Sequence, residues 1–444
     1  MTKGKNKTMS LRILLVSDHY PPFIGGAHRQ TQLLGRELHS RGHTVGVVTA
    51  WQSGLPPEED DAGVQVYRLK EIRTLLPWLI HNRKQRHHPP YPDPITVWGL
   101  RRLINRFRPD IIHSYGWFTY SLAVALLGKE IPLLLSARDY GYTCATRTLV
   151  FRNEQPCAGP TPAKCLACAT NFYGAPKGWL AVAGVGWGRL LLKRKVQSVH
   201  SISTYVQEMV HRDFLRSSAP ESGERAIVEA VIPSFREDEH EDWRNADPQI
   251  KAYVEQLPKE AYILFVGALR RVKGVDHLLA AYERLVSPPP LVLIGTFEAD
   301  SPRSFPPNVY VLPNFPHPAV MEAWERALFG VIPSLWPEPL GSVVYEGMSR
   351  GKALIGTKPG GHTDMISDGE TGILVPQGDV DALAHAMQGL LDKPELRRRL
   401  GEAGRERAKQ FTADVNVPRF EQLYQQLVNR SAGHAKEYKF LPLS

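Results

Sequence analysis

The chain reads as an α/β protein of two doubly wound domains facing a cleft. Three observations predict this. Short β-rich runs alternate with amphipathic stretches over most of the length. The alternation pauses once, at a polar, acidic, proline-containing segment over 221–258, and then resumes. The 444 residues suffice for two or three domains, at roughly 150 residues each. Such alternation favours parallel sheets covered by helices on both faces, because a parallel crossover needs a helix-sized connection.

In the first half the short β-branched runs predict strands at Arg12–Val16, Thr44–Thr49, Val64–Leu69, Asp110–His113, Pro132–Ser136 and Ser198–Ser203. Apolar residues at helical spacing predict helices at Ala27–Ser40, Ile95–Phe107, Phe118–Leu127 and Thr204–Phe214. The second half repeats the scheme. Strands are expected at Ala261–Val266, Leu291–Ile294, Val309–Leu312, Phe329–Pro333, Ala353–Thr357 and Gly372–Val375. Helices are expected at Val275–Leu285, Ala319–Arg326, Ser342–Ser349, Val380–Leu391, Glu395–Gln410 and about Thr412–Val428. The domains are expected at 1–235 and 236–411, with a last helix and tail over 412–444. Ligands of two such sheets bind beyond the carboxyl ends of the strands, here in the shared cleft.

Hydrophobic content of 43% and charged content of 22% are ordinary for a globular chain. The net charge of +9 favours anionic partners, but no nucleic-acid-binding motif accompanies it. No secretory leader and no apolar run long enough for a membrane span are expected. The chain therefore reads as cytoplasmic.

The most specific stretch is Pro333-Ser334-Leu335-Trp336-Pro337-Glu338-Pro339-Leu340-Gly341-Ser342-Val343-Val344-Tyr345-Glu346. Glu338 precedes a proline and is held extended. Gly341 and Ser342 open a helix, with Ser342 expected as its N-cap. Glu338 thus stands before a helix N-terminus and Glu346 just over a turn inside it. Carboxylates there can accept hydrogen bonds from sugar hydroxyls, while free N–H groups face a phosphate. Upstream, Gly267-Ala268-Leu269-Arg270-Arg271-Val272-Lys273-Gly274 follows a strand, and its cations suit a diphosphate. Gly25-Gly26 lies between the first strand and the first helix, where glycine lets backbone approach a ligand. His113 and Tyr115 stand at a strand's carboxyl end, and Gly360-Gly361 precede His362 and Asp364.

Glu338, seven intervening residues and Glu346 resemble the E-x7-E motif of retaining GT-B glycosyltransferases, group 1 or family 4. Pro333-Ser334 and Glu338-Pro339-Leu340-Gly341 match its surroundings. The resemblance implies a GT-B fold whose last helix crosses back to the first domain. It implies a retaining enzyme moving a sugar from a UDP-, GDP- or ADP-linked donor to a glycan, lipid-linked or small-molecule acceptor. Glu338 would contact the transferred sugar and Glu346 the ribose. Lys273, with Arg270 or Arg271, would face the diphosphate, because Ala268 stands where the family has its arginine. Gly25, Gly26, Gly341, Ser342, Gly360 and Gly361 would complete the donor site, with His113 and Tyr115 near the reacting sugar. Catalysis is expected to need no metal, since no Asp-x-Asp stands at a strand end. A sugar-nucleotide epimerase and a catalytically impaired binding protein remain the alternatives.

All four cysteines, Cys144, Cys157, Cys165 and Cys168, fall in one insertion. Cys165-Leu166-Ala167-Cys168 has knuckle spacing, so a structural tetrahedral zinc site is expected. An iron–sulfur cluster, two disulfides and unligated thiols are the alternatives. Leu75–His88 and Trp179–Lys195 combine apolar residues with cations. They suggest peripheral contact with the inner face of the cytoplasmic membrane, against ordinary core helices as the alternative.

Overall fold

A computed structural model describes residues 9–22, 26–75, 88–152, 154–215, 226–236 and 248–432. The first sheet contains β1 (Arg12–Ser17), β2 (Thr44–Ala50), β3 (Glu58–Asp61), β4 (Val64–Leu69), β5 (Ile111–Tyr115) and β6 (Leu133–Ala137). A small hairpin, β7 (Val150–Phe151) with β8 (Gln155–Pro156), stands apart. The first sheet ends with β9 (Ser198–Ser201) and β10 (Val228–Val231), in the order β10-β9-β6-β5-β1-β2-β4-β3. Its pairs are parallel except β3 with β4. The second sheet contains β11 (Tyr262–Val266), β12 (Leu291–Gly295), β13 (Val309–Pro313), β14 (Ala327–Ile332), β15 (Ala353–Lys358) and β16 (Ile373–Pro376). Its order is β13-β12-β11-β14-β15-β16, all parallel.

Central strands read as continuous apolar runs because helices cover both faces. β5 and β6 are buried at every position, whereas β4, nearer the edge, alternates. The helix Pro94–Phe107 starts where Asp93 accepts from Thr96 N at 2.8 Å, with proline in its first turn. It stops at Arg108, which takes the left-handed conformation.

Two local expectations change, and a third falls on residues that are not described. The segment expected as a linker contributes β10, an edge strand, and the helix Pro248–Val254. β10 belongs to the sheet because its residues pair in register with β9. The insertion after β6 is not irregular throughout. It carries a hairpin of helices, Pro162–Tyr173 and Lys177–Lys195. The residues at 76–87, within the expected Leu75–His88 membrane segment, lie outside the described residues.

The chain crosses between the sheets twice, side by side. Arg236 forms a parallel bridge with Thr412, and its N–H donates to the Phe411 carbonyl at 3.1 Å. The helix Ala413–Ser431 then packs on the first sheet. Val417, Phe420, Leu423, Tyr424 and Leu427 join Ile13, Leu15 and Ile111 in one core. The cleft is bridged where the Tyr140 hydroxyl donates to the Pro337 carbonyl at 2.6 Å. The Thr204 N–H donates to Asp364 Oδ2 at 2.7 Å. Among the described residues no helix is long and apolar enough to cross a membrane.

Candidate active site

The site gathers at the carboxyl ends of β11, β14 and β15. After β14 the chain bends at Leu335–Trp336 and again at Pro339–Leu340 before entering the helix Ser342–Ser349. Ser342 is not its N-cap. Gly341 takes that position with φ 87°, and no side chain caps the helix. The first-turn N–H groups therefore lack the hydroxyl that capping would supply, which suits an external anion.

Glu338 is almost fully buried at this entrance. It pairs with Lys273, and the Ser334 hydroxyl donates to its Oε1 at 2.7 Å. Burial by itself would raise the carboxyl. The Lys273 ammonium, His362 and the two hydrogen bonds outweigh it and hold Glu338 below the ordinary carboxylate value. Lys273 also lies over the Trp336 ring, 5.1 Å from its centroid. Gly274 allows this approach. Its φ is 75°, and a Cβ there would stand 1.9 Å from the Pro333 carbonyl oxygen.

The arginines beside Lys273 do not join it. Arg270 pairs with Asp300 at 3.1 Å and Arg271 with Asp276 at 3.7 Å. Both arginines are held in surface ion pairs beside the short 3₁₀ turn Arg271–Lys273, and their place at a phosphate stays an expectation. Gly360 and Gly361 pack closely against the Glu338 segment. The Gly361 N–H donates to the Glu338 carbonyl at 2.6 Å, and a Cβ on Gly361 would lie 2.2 Å from the Pro339 oxygen. This pair supports the Glu338 backbone from behind. Gly26 opens the first helix, Gly26–Ser40, and Gly25 lies outside the described residues.

Glu346 is buried on the inner face of its helix, 3.5 Å from His317 Nε2. It opens onto a cavity of about 200 Å3 between the domains, shared with Arg29, Arg236, Arg350, Arg405 and Lys409. One carboxylate among these cations gives the cavity a positive lining, which favours an anionic ligand.

His113 is removed from the cleft. It is fully buried, with Nδ1 2.7 Å from the Tyr424 hydroxyl and Nε2 2.7 Å from Ser136 Oγ. Burial, with His200 and Arg138 nearby, pushes its pKa well down, so the ring stays neutral. The Tyr115 hydroxyl lies 3.2 Å from His113 Nδ1, and Arg138 covers the Tyr115 ring. These partners make both residues part of the packing under the last helix, and a role beside the reacting sugar stays an expectation.

Facing Glu338 across the cleft is a loop that sequence reasoning did not single out. Asp139 and Tyr140 follow β6 after one residue, Arg138. Arg147 ties Asp139 at 2.5 Å and approaches Asp18 at 3.5 Å. Their position just beyond a parallel strand's carboxyl end was the available signal. Also missed was His362. It is 1% exposed and its Nε2 has no hydrogen-bond partner, although a Cβ on Gly341 would lie 3.2 Å from it. An orphaned buried nitrogen at a helix entrance points to a ligand contact.

The cysteines are free thiols. Cys144 Sγ lies 3.2 Å from Thr146 Oγ1. Cys157 Sγ is 3.5 Å from the Gly159 carbonyl, and Cys168 Sγ accepts from Arg152 N at 3.4 Å. Among the described residues no three His, Cys, Asp or Glu side chains are grouped to hold a metal.

Comparison with known proteins bears on this geometry. Residues 25–219 match a glycosyl transferase 4-like domain and residues 248–407 match glycosyl transferases group 1. A glycogen synthase of Mycobacterium tuberculosis is 25% identical over 427 residues, 89% of this chain and 90% of that protein. Sucrose-phosphate synthase from Thermosynechococcus elongatus superposes with a TM-score of 0.67 at 21% identity, covering 94% of this chain and 99% of that one. Anabaena HepE, solved in complex with UDP-glucose, gives 0.60 at 16% identity, covering 94% and 99%. With two glycosyltransferase domains in sequence order and the fold of solved GT-B enzymes, the chain is a GT-B glycosyltransferase.

Proposed function

We propose that this glycosyltransferase transfers a sugar from a nucleoside diphosphate sugar to a hydroxyl acceptor with retention of configuration and without a catalytic metal. The observation that carries the reading is the buried, ionised Glu338 before an uncapped helix, paired with Lys273. In this reading Glu338 accepts hydrogen bonds from the donor sugar, and His362 Nε2 offers a further contact. Lys273 and the first-turn N–H groups of Ser342–Ser349 neutralise the leaving diphosphate, as a preorganised positive site does for developing negative charge. Glu346 accepts from the ribose hydroxyls. The C1–O bond to phosphate breaks and the acceptor oxygen bonds C1 on the same face. The acceptor proton passes to a phosphate oxygen. UDP, GDP or ADP would be the leaving nucleotide, and complexes of HepE with UDP-glucose are consistent with the first. Closure of the two domains would exclude water.

The test is nucleoside diphosphate release from UDP-, GDP- and ADP-sugars, with the product anomer assigned by NMR. Glu338→Ala is expected to lower turnover by roughly 100-fold or more, the scale of losing one preorganised contact. An inverted product, or unchanged turnover in Glu338→Ala, would overturn the reading.

A further inference from the structure

The helix Lys177–Lys195 is apolar on both sides. Its buried side is made of Gly178, Ala181, Val185, Gly188 and Leu192, small but for the last. A Cβ on Gly178 would stand 2.6 Å from the Ala169 carbonyl carbon. On Gly184 it would stand 2.4 Å from the Pro90 oxygen, and on Gly188 1.9 Å from the Tyr120 ring. Glycine lets the helix sit close to the domain; Leu192 packs inside, while both tryptophans, Leu180 and Leu190 are left outside. Trp179 is 55% exposed, Trp187 73% and Leu190 61%, with Leu180 beside them at 53%. Positions 179, 183, 187, 190 and 194 share one face at helical spacing and all are exposed. The preceding helix of the hairpin adds exposed Leu166 and Phe172. A surface helix normally turns charged residues outward along its length; this one turns out tryptophan and leucine, with exposed Lys177 and Arg194 only at its ends.

Charge identifies the occupant. From Gln155 to Gln207 the chain has no Asp or Glu, while Lys164, Lys177, Arg194 and Lys195 border the apolar face. Tryptophan with flanking cations suits the boundary between lipid headgroups and acyl chains. We infer that the outward face of Lys177–Lys195 docks on an anionic lipid bilayer, from which a lipid-linked acceptor enters the cleft. The acceptor half of this inference rests on the proposed transfer reaction; the docking half does not. The helix is tied to the cleft through Arg189. Its Nε donates to the Tyr142 carbonyl at 3.1 Å and its Nη2 to the Thr143 carbonyl at 2.6 Å. Two residues upstream of Tyr142, Tyr140 touches the carbonyl next to Glu338.

The experiment is co-sedimentation of the full chain with vesicles of phosphatidylcholine, with and without phosphatidylglycerol. Parent protein is expected to bind anionic vesicles at least ~10-fold better than neutral ones, and less at high salt. Trp179→Glu/Trp187→Glu is expected to weaken binding roughly 100-fold while releasing nucleoside diphosphate from soluble donor at the parent rate. Absence of parent binding to anionic vesicles refutes docking, as does equal binding by the double variant. A concentration-dependent dimer of the parent in sedimentation velocity, lost in the double variant without vesicle binding, would assign the face to a second copy and also refute it. Loss of turnover in both proteins with vesicle binding intact would instead count against the transfer reading.

Discussion

Replacing Lys273 by methionine keeps the stem over Trp336 and removes only the charge. Glu338 then remains buried with the Ser334 hydroxyl as its direct partner. Breaking a buried pair by removing one member costs about 3–5 kcal/mol. Lys273 is itself 29% exposed, and Ser334 and His362 stay in place, so a loss of about 2 kcal/mol is expected near neutral pH. At roughly 2–4 °C per kcal/mol this lowers Tm by about 4–8 °C. The sign with pH follows from the carboxylate. The folded pKa of Glu338 is depressed, so its stabilising contribution is present above the ordinary carboxylate range and is lost as pH falls through the folded value. Without Lys273, burial dominates and the carboxyl pKa rises. The variant's deficit should therefore shrink in acid, where Glu338 is protonated in both proteins. The assay is a double-mutant cycle with Glu338→Gln, followed by thermal unfolding across pH. Lys273→Met/Glu338→Gln should be more stable than Lys273→Met alone, because the uncompensated charge has gone. A cycle with no coupling, or a deficit independent of pH, would refute the reasoning.

Three further outcomes are expected. Gly361→Ala should lower Tm and weaken donor affinity together, because its Cβ meets the Pro339 oxygen, a backbone atom that cannot yield cheaply; a variant with parent stability would show that the 338–361 contact is not needed. Below pH 6.5 the first domain should become acid-labile. Burial holds His200 down to about 3 and His113 well below its ordinary value, so stability is full above the unfolded histidine value and falls as pH drops below it. His200 alone contributes a loss of about 2 kcal/mol at pH 5, readable in pH-dependent unfolding of the parent and reduced in His200→Gln. Elemental analysis tests the zinc reading: stoichiometric zinc lost in Cys165→Ser/Cys168→Ser supports it, and metal-free purified protein removes it.

Local pattern was enough to lay out the two parallel sheets. Val64–Leu69 and Ser342–Ser349 carry their period and their terminators within a few residues, and both form over the expected span. The placement of Glu338 just before the helix Ser342–Ser349, and of Lys273 just before Gly274, was also readable, since Gly274 and the prolines around Glu338 act locally. Partner choice and burial were not readable, because they depend on residues far along the chain. His113 is enclosed by Tyr424, 311 residues away. Arg270 is drawn off by Asp300, and the Gly361 N–H is taken by Glu338. Both faces of Lys177–Lys195 are apolar, so periodicity could not say which one packs. Steric closeness decided that: only the glycine side can approach Ala169, Pro90 and Tyr120, and the tryptophans are therefore turned out to the surface.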